Sequence, residues 1–231
     1  GRSAQSRRCL AEPGFPFEDW TLETRQATLD KIVHKTLDLA PRHATVLKGA
    51  KPNTAIRTPI AVARAGRGHE LPAVLASYYK AFTPMPNGMS MFEGPNAQSI
   101  ENLGLIVTTF QDGLLQSVSA RPGEPEVINV FPAWPRKWDA SFSMLARGGF
   151  LVSGVVQNGE VEFVEIESRR GENCRLRNPW KGSCLLTDVH GRTEKLSGEI
   201  LRFDTQPDGH YRVIPEGKPM PMARQLSKTR E

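Results

Sequence analysis

Apolar positions in the first half of the chain recur at three- and four-residue intervals. Near residue 120 the spacing changes to the alternation of strands. Leu22, Leu29, Ile32, Val33, Leu37 and Leu39 trace one face of a first helix, capped by Thr21 and stopped by Pro41. A short second helix is expected over Thr58–Ala65, with Pro59 in its first turn and Gly66 behind it. A third covers about Glu70 to Phe82, with Pro72 near its start and Leu71, Val74, Leu75 and Tyr78 on one side. Residues 83–98, TPMPNGMSMFEGPNAQ, read as a long loop rich in Pro, Gly and Asn. A loop that long in a compact domain is usually either functional or disordered. The fourth helix is expected from about Ser99 to Ser117, with Leu103, Ile106, Val107, Phe110 and Leu114 as its inward stripe. Gly104 lies inside it, at a cost of roughly 1 kcal/mol against Ala, which suggests close packing there.

Behind Arg121-Pro122-Gly123 the pattern becomes that of short strands. Val127–Phe131 is the first, closed by Pro132. Gly149–Val156 and Val161–Ile166 follow, joined by Gln157-Asn158-Gly159-Glu160, and Asn-Gly between two β-rich runs is the strongest short hairpin signal. Further strands are expected at Cys174–Arg177, Ser183–Asp188, Glu199–Phe203 and Tyr211–Ile214. Several short strands separated by Gly, Pro and Asn turns predict a β-sandwich. The chain is therefore α+β: an extension over 1–20, a helical region over 21–120, a small antiparallel β-sandwich over 121–215 and a basic tail over 216–231.

Composition adds a few exclusions. Gly 20 and Pro 18 exceed their usual combined share of about 12 %, which suits a loop-rich or β-rich protein but is too little for disorder. No apolar run approaches the ~18 residues of a membrane span, so no membrane partner is expected. The net charge of +5 comes with its basic residues gathered at the ends, and no helix carries a basic stripe interleaved with aromatics. Nucleic acid is therefore not expected as a partner. Cys9, Cys174 and Cys184 have no metal-ligand spacing, and Cys174 and Cys184 are either buried free thiols or a bridge between adjacent strands. No Walker loop, dinucleotide fingerprint or nucleophile elbow is present, so no cofactor and no metal are expected. GRSAQSRRCLAEPG carries basic residues with no apolar stretch behind them, unlike a signal peptide, and reads as the start of a fragment.

Four motifs in order carry a family resemblance. Ile100-Glu101-Asn102 opens the helix that closes on Leu114-Leu115-Gln116-Ser117. Then come Val127-Ile128-Asn129-Val130-Phe131-Pro132-Ala133-Trp134-Pro135, Leu145-Ala146-Arg147-Gly148-Gly149-Phe150-Leu151-Val152 and Glu172-Asn173-Cys174-Arg175-Leu176-Arg177. Together, over about residues 60–178, they resemble the C-terminal portion of glycoside hydrolase family 95 and its relatives among the (α/α)6-barrel hydrolases. The resemblance implies that the helices are the end of such a barrel and that the sandwich follows it. It also implies hydrolysis of α-linked sugars with inversion, fucose or galactose units being the commonest substrates. A closed barrel needs about a dozen helices and this chain offers about four, too few to close that layer. An upstream polypeptide is expected to complete it and to supply the general acid. A secreted or periplasmic location is expected, where such enzymes meet polymeric substrates.

The resemblance points to Glu101 as a carboxylate near the catalytic centre. Relatives read I-D-G-N-F-G there, so Glu replaces Asp and Asn102 replaces Gly. Glu reaches one methylene further, which bears on the position of the catalytic water and hence on the substrate class. A carboxylate in a first helical turn is also favoured by the helix dipole alone, by about 0.3–1 kcal/mol. Glu93, in Met91-Phe92-Glu93-Gly94-Pro95, is the second candidate; it is either a solvated loop acid or a carboxylate presented to sugar beside Phe92. Phe92 and Asn102 are the expected substrate contacts. His69 reads as a cap or an exposed side chain, and Trp134 and Trp138 as packing at the junction of helices and sandwich. A carbohydrate- or protein-binding subunit without chemistry is the alternative reading.

Overall fold

The computed structural model describes residues 18–24, 26–39, 57–82, 87, 89–91 and 98–219. It divides into two compact units, one ending at Arg136 and the other beginning at Lys137. Cys9 and the basic tail beyond Lys218-Pro219 lie outside the described residues.

The first unit holds helices α1 (Ala27–Leu39), α2 (Thr58–Arg64), α3 (Leu71–Phe82) and α4 (Glu101–Leu114). It also holds a short ribbon, β1 (Ser90–Met91) with β2 (Gln98–Ser99), and a hairpin, β3 (Leu115–Val118) with β4 (Val127–Val130). α2 is buried from Thr58 through Ala63, which is why its sequence is apolar on every side. Leu71, Val74, Leu75 and Tyr78 form the buried face of α3, as their spacing predicts.

α1 begins later than Thr21. Instead of capping, Thr21 closes a local turn: its Oγ1 accepts Glu23 N (3.2 Å) and donates to Ser119 O (2.7 Å), while Thr24 N donates to Thr21 O (3.0 Å). A hydroxyl so engaged has left the helix it was expected to start. Leu29, Val33 and Leu37 still turn inward, against Trp20, Ala61 and Ala65, but Ile32 is exposed.

α4 ends at Leu114, three residues short of the expected Ser117. Leu115 swings to extended backbone (φ −145°, ψ 131°), and Leu115, Gln116, Ser117 and Val118 pair with Val130, Asn129, Ile128 and Val127. The last helical carbonyls find donors in the chain behind β4: Ala133 N bonds Gly113 O (3.3 Å) and Phe131 N bonds Leu114 O (2.7 Å). Tertiary pairing thus stops a helix whose own sequence would continue. The face also differs from the expected stripe. Thr109 and Gly113 are buried, Ile106 and Phe110 pack on Val62, Ala63, Leu71, Leu75 and Ala133, and Val107 stands in solvent. Close packing falls at Gly113, where a Cβ would touch Leu71, Trp134 and the Ala133 carbonyl at 3.5–3.6 Å; at Gly104 it would meet nothing.

The second unit is antiparallel β. Its strands are β5 (Ala140–Ala146), β6 (Phe150–Gln157), β7 (Glu160–Ser168), β8 (Cys174–Arg177), β9 (Cys184–Asp188), β10 (Thr193–Leu196), β11 (Ile200–Phe203) and β12 (Gly209–Pro215). Six of them form one sheet in the order β10-β9-β12-β7-β6-β5, and β8 pairs with β11. Val152, Val164, Ile166, Val213 and Leu186 face inward from the large sheet, and Cys174, Leu176, Leu201 and Phe203 from the β8–β11 pair. Phe203 meets Tyr211 at 5.6 Å between ring centroids, so the two layers share a core. The protein is α+β with a β-sandwich, as expected. Asn158 (φ 51°) and Gly159 (φ 78°) both take the left-handed conformation of a type I′ turn between β6 and β7. β5 and β10 were not anticipated as separate strands. Gly148 and Gly149, both at positive φ, turn the Leu145–Val152 motif into the β5–β6 hairpin, and the polar Thr-Glu-Lys-Leu of β10 is an edge.

Candidate functional site

Glu101 is the first residue of α4 and Asn102 the second. Ile100, the residue before the helix, makes no side-chain cap. The unpaired N–H groups of that first turn favour an anionic group near them. The side chains of Glu101 and Asn102 lie outside the described residues, and so do Phe92 and Glu93 entirely. The described backbone places the pairs Ser90–Ser99 and Met91–Gln98 opposite each other, which closes a ribbon just ahead of α4. Ser90, Met91 and Gln98 of the expected 83–98 loop are therefore strand residues.

α4 is anchored by a half-buried ion cluster that no sequence motif marks. Arg64, the last residue of α2, donates Nε to Asp112 Oδ2 (2.8 Å) and Nη1 to Glu18 Oε1 (3.0 Å). Burial pushes the Asp112 carboxyl above its ordinary range and outweighs the opposing pull of Arg64; the charge of Glu18 adds to the rise. Gln116 Nε2 donates to Ala63 O (3.1 Å) and Asp112 O (2.9 Å), tying β3 back to both helices. A second cation, Arg67, bonds Asp38 (2.7 Å) and Glu70 (2.7 Å) and the His34 carbonyl (3.2 Å). These carboxylates hold helices together and are occupied by guanidinium groups. Apart from Glu70, three residues from Arg67, the partners lie tens of residues away, where no local spacing reveals them.

The aromatic residues divide by role. Trp134 packs on Phe110 at 6.1 Å within the first unit, and buried Trp20 stands edge-on to His34 at 5.8 Å. His69 is exposed and lies 3.5 Å from Glu70, consistent with one of its two expected roles. Trp180, left without a role by the sequence, sits in the β8–β9 connection with its Nε1 donating to Val161 O (2.7 Å).

The outer face of the six-stranded sheet carries a row of polar pairs across its strands. Ser143 and Ser153 bond at 2.9 Å, Arg212 Nε bonds Glu165 at 2.8 Å, and Thr187 meets Thr193 at 3.3 Å. Arg212 also lies 5.4 Å from the Phe163 ring. A cavity of about 360 Å³ opens there, lined by Glu165, Glu167, Asp188, His210 and Arg212 among others. Glu165 is held by Arg212, and Glu167 lies 3.5 Å from Arg169. Among the described residues no three His, Cys, Asp or Glu side chains are grouped to hold a metal ion. No described helix is long and apolar enough to cross a membrane.

Cys174 and Cys184 are free and buried, which decides between the two expected alternatives. Burial pushes the Cys174 thiol to about 12 and the Cys184 thiol to about 11. Both are therefore protonated at neutral pH and serve as small apolar core residues.

Residues 123–213 match the family model described as glycoside hydrolase family 95, C-terminal domain. The match includes β4 and the strands from β5 to β11, with most of β12. The resemblance read from the motifs is thus supported over this segment, which is similar to the C-terminal domain of that glycoside hydrolase family. None of the curated proteins matches the chain.

Proposed function

We propose that this chain is the C-terminal part of an inverting glycoside hydrolase that acts on α-linked sugars, fucosides or galactosides by preference. The observation that carries this reading is the position of α4. It opens on Glu101 and runs, through β3, into the segment that matches the family 95 C-terminal domain. In an inverting hydrolase one carboxylic acid protonates the leaving oxygen. A second carboxylate, roughly 6.5–9.5 Å away, activates water on the opposite face of the sugar. A helix N-terminus favours an ionised carboxylate, which suits Glu101 to the water-activating role rather than to that of the acid. Glu93 is the second candidate for a carboxylate at the same centre, and Phe92 and Asn102 are the proposed sugar contacts. The helices belong to the end of an (α/α)6 barrel, completed by an upstream polypeptide that supplies the general acid. The substrate is met outside the cell or in the periplasm, where polymeric glycans are found.

The test uses the chain joined to, or co-expressed with, its upstream polypeptide. Glu101→Gln is expected to lower kcat by roughly 10²–10⁴ with KM little changed, the signature of a proton-transfer group. The first product formed is expected to carry the inverted anomeric configuration, read by NMR within the first turnovers. If Glu101→Gln and Glu93→Gln both hydrolyse normally, the site assignment fails and a non-catalytic carbohydrate- or protein-binding role takes its place.

A further inference from the structure

The connection between β8 and β9 forms a second feature that the hydrolytic reading does not use. Residues 178–183, Asn-Pro-Trp-Lys-Gly-Ser, and the Ser197–Glu199 turn enclose a depression of about 630 Å³. A single side chain organises both of its walls. Asn178 Nδ2 donates to Gly182 O (2.9 Å) and to Gly198 O (3.0 Å), and Asn178 Oδ1 accepts Trp180 N (3.0 Å). Its backbone N–H donates to Glu199 O (2.9 Å). Trp180 is in turn fixed by the bond from its Nε1 to Val161 O. A half-buried indole with its polar edge satisfied leaves carbon surface as what it offers a ligand.

The charged groups around it are Lys181 and the ion pair of Arg177 with Glu199, 4.0 Å apart. One apolar plate flanked by mixed donors and acceptors, on a scaffold already held in place, is the chemistry of a neutral polyhydroxylated ring. A nucleotide would also stack on the indole, and adenosine monophosphate is therefore the competing ligand in the test below. A lipid or an apolar peptide would need carbon surface where Arg177, Lys181 and Glu199 stand.

We propose that this depression is a carbohydrate-binding site for a pyranoside, with Trp180 beneath the C–H face of the ring and Arg177, Lys181 and Glu199 at its hydroxyls. The site deepens the carbohydrate-active reading and rests on it for the choice of sugars. It recognises glycan without turnover and adds to whatever grip the hydrolytic centre has on the same polymer.

The test is a titration of the 231-residue chain with methyl α-L-fucopyranoside, methyl α-D-galactopyranoside and methyl β-D-xylopyranoside. It is followed by the indole N–H resonances of the protein and by saturation transfer to each sugar. Binding with Kd of about 1–10 mM is expected for at least one sugar, with a shift of the Trp180 indole signal. Trp180→Ala is expected to weaken it at least tenfold. Because that variant also loses a bond to β7, the exposed pair Lys181→Ala and Glu199→Ala is tested alongside and is expected to weaken binding severalfold with an unchanged fold. The proposal is overturned if no sugar moves the Trp180 signal, or if binding survives both the Trp180 and the Lys181/Glu199 changes in folded protein. Preferential binding of adenosine monophosphate also overturns it. The titration involves no hydrolysis, so a negative result leaves the Glu101 assignment standing, and normal hydrolysis by Glu101→Gln leaves this site standing.

Discussion

Gly68 is the most exacting position in the helical unit, and replacing it with Ala tests how that unit is built. It lies in the turn between α2 and α3, where Arg67 N bonds Val62 O (3.1 Å) and Leu71 N bonds Gly68 O (3.3 Å). A Cβ placed there would stand 2.5 Å from both C and O of Ala133 and 3.0 Å from Trp134 O. These are backbone atoms, so no side chain can swing aside. Nor can the segment easily recede. Ala133 is buried among Val62, Ala63, Leu71 and Leu75, and the segment is bonded to the end of α4 through Phe131 N and Ala133 N. Overpacking of a core commonly costs 1–3 kcal/mol, and contact with anchored backbone places this substitution at about 3 kcal/mol. For a chain of this size that lowers Tm by roughly 6–12 °C. Gly104→Ala is the matched control: the same methyl enters open space on the exposed side of α4. There it is expected to add roughly 0.5–1 kcal/mol through helix propensity. Thermal unfolding followed by circular dichroism at 222 nm reads both. An unchanged Tm for Gly68→Ala, or a loss of stability in Gly104→Ala, would refute the packing argument.

Two further tests address buried groups. Arg64→Met removes the cation that holds Asp112 and is expected to cost about 3 kcal/mol in urea unfolding, because it strands a largely buried carboxylate. The folded state already raises the Asp112 carboxyl, so it holds that proton more readily than the unfolded chain does. The penalty of Arg64→Met should therefore shrink as pH falls from 7 towards 4; a penalty that grows on acidification contradicts the assignment. Cys174 and Cys184 should resist a thiol-specific disulfide reagent at pH 8 in the native protein and react on unfolding. Both thiols ionise later in the folded state than at their ordinary value of 9, so stability should decline as pH rises above about 9. At pH 10 the loss attributable to Cys174 is about 1 kcal/mol, and Cys174→Ala should remove that part of the slope.

What could be read from sequence was what neighbouring residues decide among themselves. Asn158-Gly159 specifies its own turn because both residues accept positive φ, and that sets the adjoining pairs Gln157–Glu160 and Val156–Val161, before a bulge shifts the register at Val155. The buried face of α3 was legible for the same reason: Leu71, Val74, Leu75 and Tyr78 recur at the helical period within a single segment. The end of α4 was not, because its last carbonyls are met by Phe131 and Ala133, and a partner strand nine to fifteen residues away wins Leu115–Val118. Gly104 shows the limit most plainly. A glycine inside a helix suggests close approach, and one does exist, yet it falls at Gly113 and Gly68, where Trp134 and the Ala133 backbone arrive from another element. The candidate chemistry divides the same way. Glu101 was singled out by a motif and a helix start, both local, whereas the Arg64–Asp112–Glu18 cluster and the depression around Trp180 exist only because separate loops are brought together. A motif therefore nominates a carboxylate, but only the assembled chain tells which carboxylates are already taken. Asp112, Glu165 and Glu70 are each bound to a guanidinium group from another part of the sequence or an adjacent turn, and no catalytic motif in the chain marks any of those pairings.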